Sequence, residues 1–167
     1  MKSVIYKGPG EFAIEDRPRP QIKNQDDVLI RVLGVCICGT DINIFATPQK
    51  HPSRPGIIFG HEFCGQVVET GSAVTNLKPG DKVIVDPHGP CGYCDACRSG
   101  WPEMCENLYL DEPGLEGQAD AMGVFKDGGL ITYTLVPSKF AYKIADDTPA
   151  ELMALAEPLA TCGYSLE

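Results

Sequence analysis

Two groups of side chains in this sequence could do chemistry. The first is His61-Glu62, an imidazole beside a carboxylate, set between Gly60 and Gly65. Such a pair can hold a metal ion or move a proton, given further donors. Cys38 and Glu157 are candidates, far away along the chain. Singly, each has an ordinary reading. A Cys at a strand end packs as a small hydrophobe, a His among apolar residues is a core histidine, and a helical Glu faces solvent. Spacing alone does not prove that they meet.

The second group is Cys91-x2-Cys94-x2-Cys97-x7-Cys105, four thiols in fifteen residues. Thiolates bind Zn²⁺ tetrahedrally at about 2.3 Å. Two-residue spacers let consecutive sulfurs converge on one ion, and Gly92 and Gly100 supply tight turns. Paired disulfides are disfavoured by the tight loops and by a reducing compartment. Cys-x2-Cys-x2-Cys also opens iron–sulfur sites, but here the fourth Cys comes late and is followed by Glu106, not Pro. Four sulfurs close a zinc site, which makes it structural. Its work would be to order the stretch from about 87 to 117, where Gly, Pro, Asp and Cys dominate and periodicity is weak.

The elements that must position these groups read mainly as strands. Val4–Tyr6 and Phe12–Glu15 form a hairpin around Lys7-Gly8-Pro9-Gly10. Gly8-x-Gly10-x-x-Ala13 fits a degenerate dinucleotide fingerprint, but no helix follows it, only Arg17-Pro18-Arg19-Pro20, so it is set aside. Val28–Val35 is the strongest strand. Thr40–Phe45 is a short helix capped by Thr40 or Asp41. Further strands are expected at Glu62–Glu69, Lys82–Val85, Gly129–Pro137 and Phe140–Ile144. Thr148-Pro149-Ala150-Glu151 is a capping box that opens a helix reaching Pro158.

Bulk composition narrows the function classes. The 167 residues suffice for one domain with a real core, and 18 Gly and 14 Pro fit a turn-rich β fold. A net charge of −9 argues against a nucleic-acid partner. No apolar run approaches the roughly 20 residues of a membrane span, and the N-terminus lacks a signal-peptide pattern. The expectation is a cytoplasmic protein whose eight cysteines serve metal or chemistry rather than disulfides.

Several motifs in register carry a resemblance. Gly60-His61-Glu62-x2-Gly65-x5-Gly71-x2-Val74, then Gly80-Asp81-x-Val83, resembles the signature of the zinc-dependent medium-chain alcohol dehydrogenases. Cys38-Gly39-Thr40-Asp41 resembles that family's catalytic cysteine motif, and the four-cysteine cluster its structural zinc lobe. Glu157-Pro158-Leu159-Ala160 resembles the segment carrying its last ligand position. Glu157 stands where many members have a second cysteine, as in the polyol and sorbitol dehydrogenase branch.

The resemblance implies a mainly β, GroES-like twisted and partly open β-barrel over residues 1–167, with a zinc lobe at about 87–117 and a C-terminal helix. It implies two zinc ions. A catalytic one would be held by Cys38, His61 and a third group from Glu62 or Glu157; a structural one by Cys91, Cys94, Cys97 and Cys105. Whether Glu62 is a ligand or a neighbour stays open. Asp41 would orient His61. Zinc would polarise an alcohol or polyol, hydride would pass to NAD or NADP, and Thr40 would take the alcohol proton. In many relatives a His follows the Cys by five positions and joins that relay; here the position is Asn43. The chain contains no Gly-x-Gly-x-x-Gly before a helix, so no cofactor-binding residue is assigned. The expectation is a catalytic domain without its Rossmann domain, with 159–167 beginning the crossing, and inactive alone. The complete enzyme would be a homo-oligomer. The alternative is a stand-alone zinc module that binds metal or a partner protein.

Overall fold

The structure is a computed structural model that describes residues 1–165. It is mainly β. Strands β1 (Lys2–Gly8) and β2 (Glu11–Asp16) form an antiparallel hairpin. The main sheet has five strands in the order β6-β3-β4-β5-β7. They are β3 (Asp27–Cys36), β4 (Glu62–Thr70), β5 (Lys82–Val85), β6 (Tyr133–Pro137) and β7 (Ala141–Lys143). All four pairings are antiparallel. The expected mainly β, GroES-like architecture is present, and both sheets stay open rather than closing into a barrel.

One face of the main sheet builds the core. Val28 and Ile30 of β3, Val67 of β4, Val83 and Val85 of β5 and Val136 of β6 pack with Phe63, Leu77, Met122 and Phe140. Each such buried aliphatic side chain contributes roughly 1.5–3 kcal/mol through the hydrophobic effect. β-Branched residues dominate because they suit a pleated, packed surface.

The described residues form four helices: α1 (Gly39–Phe45), α2 (Asp95–Arg98), α3 (Ala150–Met153) and α4 (Ala156–Tyr164). Among the described residues none is long and apolar enough to cross a membrane. Short 3₁₀ turns cover Pro102–Met104 and Ser138–Phe140.

Three expectations change in the structure. The helix expected from Thr40 begins at Gly39, so its cap is Cys38 rather than Thr40 or Asp41. The strand expected from Gly129 begins only at Tyr133. Before it, Gly129 is pressed against the Phe63 side chain, and the Gly129 and Leu130 N–H groups bond the carbonyls of Gly60 and Phe59 rather than a neighbouring strand. The C-terminal helix differs more. No side-chain cap forms at its start; the Thr148 carbonyl instead accepts from Lys82 Nζ at 2.8 Å. The helix breaks at Ala154-Leu155 and restarts as α4, with Pro158 in the first turn of the new helix rather than at the end of the old one. A first-turn N–H has no intrahelical partner, so a proline there costs little. The expected crossing at 159–167 continues α4 as far as residue 164, and 166–167 lie outside the described residues.

Candidate metal centres

The register of β3 against β4 builds the first centre. Cys36 pairs with Glu62 at the end of the ladder. Cys38, two residues past the end of β3, and His61, one before β4, therefore reach the same end of the sheet. Cys38 caps α1, its sulfur accepting the Thr40 N–H at 3.4 Å. The Asp41 carboxylate reaches back to the Cys38 N–H at 2.8 Å, completing a capping box with a thiol in the usual Ser/Thr place. Gly60 turns the chain into β4 with φ +91°, where a Cβ would lie 2.9 Å from Leu130 and Val35. Only glycine takes that conformation in that space without strain.

The result is a convergent donor set. A ligand atom from each of Cys38, His61 and Glu62 lies within 4.8 Å of the others. His61 and Glu62 are buried, 4% and 5% exposed. The β4 strand also holds the helix that brings in the fourth group. Cys64 Sγ and Cys36 Sγ sit 3.6 Å and 3.2 Å from the carbonyls of Ala150 and Ala154. Met153 and Ala154 pack with Cys64. So anchored, α4 places Glu157 in the same cavity as Cys38, His61 and Glu62.

The electrostatics of this corner ask for a cation. Burial, then the charge of Glu62 and a hydrogen bond to it, push the Glu157 carboxyl above the usual range. Burial likewise raises the Cys38 thiol, with Glu62 adding to the effect and the Thr40 N–H opposing it. Burial works against a charged His61, but the carboxylates of Asp41, Glu62 and Glu157 outweigh it and raise its pKa. His61 Nδ1 lies 3.2 Å from Asp41 Oδ1. Neither atom makes a hydrogen bond of regular geometry with a described residue, so the two form a close polar contact that becomes an ion pair only when the imidazole is protonated. With Nδ1 turned to Asp41, Nε2 is the nitrogen left for a metal. Two facing carboxylates, a thiol and an imidazole suit Zn²⁺, which accepts S, N and O donors.

The second centre is the lobe. Cys91 and Cys97 sulfurs are 3.9 Å apart, as are Cys94 and Cys105. All four cysteines are free. A regular tetrahedron with bonds of about 2.3 Å has an edge of about 3.8 Å, so these sulfur separations fit zinc. Backbone N–H groups aim at the sulfurs: Tyr93 and Cys94 at Cys91, Cys97 at Cys94, and Cys91 at Cys105. Burial would raise Cys91, but donors from Tyr93, Asn107 and Cys94 hold it at about 6. Burial and its thiol neighbours push Cys97 up to about 12. A lowered thiol beside a raised one is the pattern of close sulfurs that cannot all ionise without a cation.

Between the centres lies a cavity of about 490 Å³. Thr40, His51, His88, Gln118 and Phe125 line it beside the first donor set. His51, His88, Gln118 and Phe125 carry no sequence motif, and only the fold brings them here. Asn43 is exposed and is not among the lining residues.

The sequence profile of the alcohol dehydrogenase GroES-like domain matches residues 24–146. The chain belongs to that family. It is 39% identical over 164 residues to the L-threonine 3-dehydrogenase of Thermococcus kodakarensis, covering 95% of this chain and 43% of that protein. It is 34% identical over 159 residues to a D-xylulose reductase A of Neosartorya fischeri, covering 94% of this chain and 42% of that one. The crystal structure of galactitol-1-phosphate dehydrogenase from Escherichia coli superposes with a TM-score of 0.82 at 31% identity, over 95% of this chain and 42% of that one. The relatives are dehydrogenases, and this chain spans less than half the length of each. It is thus a GroES-like domain of the zinc-dependent alcohol and polyol dehydrogenase family, with two cysteine-containing clusters able to hold zinc.

Proposed function

We propose that residues 1–167 form the catalytic domain of a dehydrogenase that oxidises an alcohol or polyol, with NAD or NADP as hydride acceptor on a domain outside this chain. The observation that carries this reading is the open donor set: Cys38, His61 and Glu62 within 4.8 Å, with Glu157 beside them in a cavity large enough for a small substrate. A module that only bound metal or a partner would have no use for that cavity.

Two zinc ions are proposed per chain. Cys91, Cys94, Cys97 and Cys105 would hold the structural one, and the lobe at about 87–117 would be ordered by it. Cys38, His61 and the carboxylates of Glu62 and Glu157 would hold the catalytic one. Bound there, zinc supplies a Lewis acid that lowers the pKa of a coordinated hydroxyl. Asp41 fixes the His61 ring and leaves Nε2 to the site. Glu62 and Glu157 line the same cavity, and burial with the charge of Glu62 raises the Glu157 carboxyl, so the two carboxylates would share one proton or one cation. The Thr40 hydroxyl, 3.7 Å from the Cys38 sulfur, takes the substrate proton. Asn43 cannot relay that proton, so it passes from Thr40 to water in the cavity. The complete enzyme is proposed to be a homo-oligomer in the cytoplasm.

The test uses this chain loaded with Co²⁺ in place of zinc. Xylitol or 2-propanol should shift the visible d–d bands of the Cys38 site and leave the four-sulfur bands unchanged. Bands indifferent to both alcohols at saturating concentration would contradict an open, substrate-binding site.

A further inference from the structure

We infer that the four-cysteine lobe positions one wall of the cavity through a hairpin spanning residues 108–120, and that Gln118 on that wall bonds the hydroxyls of a bound substrate. The wall is shared between the two centres. Ala119 packs into the cluster formed by Cys94, Cys105 and Leu108, and it also lines the cavity beside Gln118. Among the described residues only Ala119 belongs to both sets.

The connection is mechanical. Cys105 is fully buried, and its carbonyl accepts the Leu108 N–H at 3.1 Å. Leu108, 9% exposed, starts the outgoing arm of the hairpin directly after that last sulfur. The two arms are laced by Asp120 N–H to Leu108 O at 2.8 Å, Leu110 N–H to Gln118 O at 2.8 Å and Gly117 N–H to Leu110 O at 3.0 Å. Tyr109 and Ala119 pair as an antiparallel bridge. Gly114 and Gly117, at φ +83° and +74°, make the bends at the tip. Every bond fixing the Gln118 backbone therefore goes to the arm that grows out of the cysteine cage or to the tip itself. The far side is strapped by Arg54 to Glu112 at 2.5 Å, and Leu110 and Leu115 pack under Val124 and Phe125.

Few apolar side chains hold the lobe. Its cluster is the cysteines with Ala96, Leu108 and Ala119. Without an ion the sulfurs are joined only by weak S–H···S contacts at 3.9 Å and by N–H donors from their own loop, so the seat of Leu108 and Ala119 loosens. Gln118 is half-buried and lines the cavity, and no hydrogen bond of its side-chain amide is found among the described residues, which makes that amide the candidate partner for a ligand hydroxyl.

Two measurements test this. Amide exchange is compared between zinc-loaded wild type, Cys97→Ser, which breaks the cage, and Leu108→Ala, which keeps all four cysteines. Leu110 and Asp120 amides should exchange at least about tenfold faster in both variants, with Ile30 and Val67 of the core sheet unchanged. Acceleration confined to 91–107 in Cys97→Ser, or absent in Leu108→Ala, would overturn the coupling. In cobalt-loaded protein, Gln118→Ala should raise the xylitol half-saturation about fivefold, the value of one lost hydrogen bond, and leave that of 2-propanol unchanged. Equal shifts for both alcohols, or none, would overturn the role of Gln118. That role rests on the proposed function. If xylitol fails to perturb even wild type, both fall together, while the exchange result still decides the lobe coupling by itself.

Discussion

Asp41→Asn isolates the contact that orients the metal-binding imidazole. Asp41 and His61 are 3% and 4% exposed, so water cannot replace either partner. One carboxylate oxygen accepts the Cys38 N–H at 2.8 Å, and the other lies 3.2 Å from His61 Nδ1. An asparagine can keep its carbonyl on Cys38, which preserves the helix cap. Its NH₂ then faces Nδ1, and two donors meet. The ring can relieve this only by moving its proton to Nε2, the nitrogen needed by the metal. Loss of such an outer partner costs about 10–100-fold in metal affinity, equal to about 1.4–2.7 kcal/mol. Asp41→Ala should lose the capping bond as well, about 1 kcal/mol of folding stability. The assay is zinc titration of metal-free protein against a competing chelator, with the four-cysteine site as internal reference. Asp41→Asn should weaken the Cys38 site alone. Unchanged affinity there, or equal weakening of both sites, would refute the orienting role.

Two further predictions concern the scaffold. A Cβ at residue 89 would lie 1.6 Å from the buried Phe140 ring, so Gly89→Ala should overpack the core and cost about 1–3 kcal/mol, read as a lowered denaturant midpoint. Asp27 sets an acid dependence. Burial alone would raise its pKa, but donors from Asn24 and Lys23 outweigh burial and lower it. A depressed folded pKa gives stability that is present above the unfolded value of about 3.9 and is lost as pH falls through the folded one. Asp27→Asn should therefore be destabilising at about pH 6, with the penalty shrinking as pH falls below the unfolded value of about 3.9, as measured by paired urea unfolding curves.

What could be read from the sequence was local. The cysteine spacing fixed the lobe because two-residue spacers leave the chain few ways to arrange its sulfurs. The β-branched run at 28–35 survived because propensity and tertiary packing agree there, whereas the cap of α1 fell to Cys38 rather than to Thr40 or Asp41 because the helix already begins at Gly39. The cap expected at Thr148 did not form because the helix begins at Ala150 with Pro149 in the N-cap position, which leaves Thr148 one residue outside it. Pro158 read as a stop because its position relative to the start of α4 is invisible in sequence. The meeting of Glu157 with Glu62 depends on two thiols holding α3 to the sheet, and nothing near residue 157 encodes that. His51, His88 and Gln118 are ordinary loop residues until Gly123 and Gly128 let the backbone close on the Gly60 carbonyl.

The central claim is that Cys38, His61, Glu62 and Glu157 form an open zinc site distinct from the lobe. Metal content per chain in the wild type and in His61→Ala tests it most directly. The account predicts two zinc ions in the wild type and one in His61→Ala, with the four-cysteine ion retained. Equal zinc content in the two proteins would contradict it.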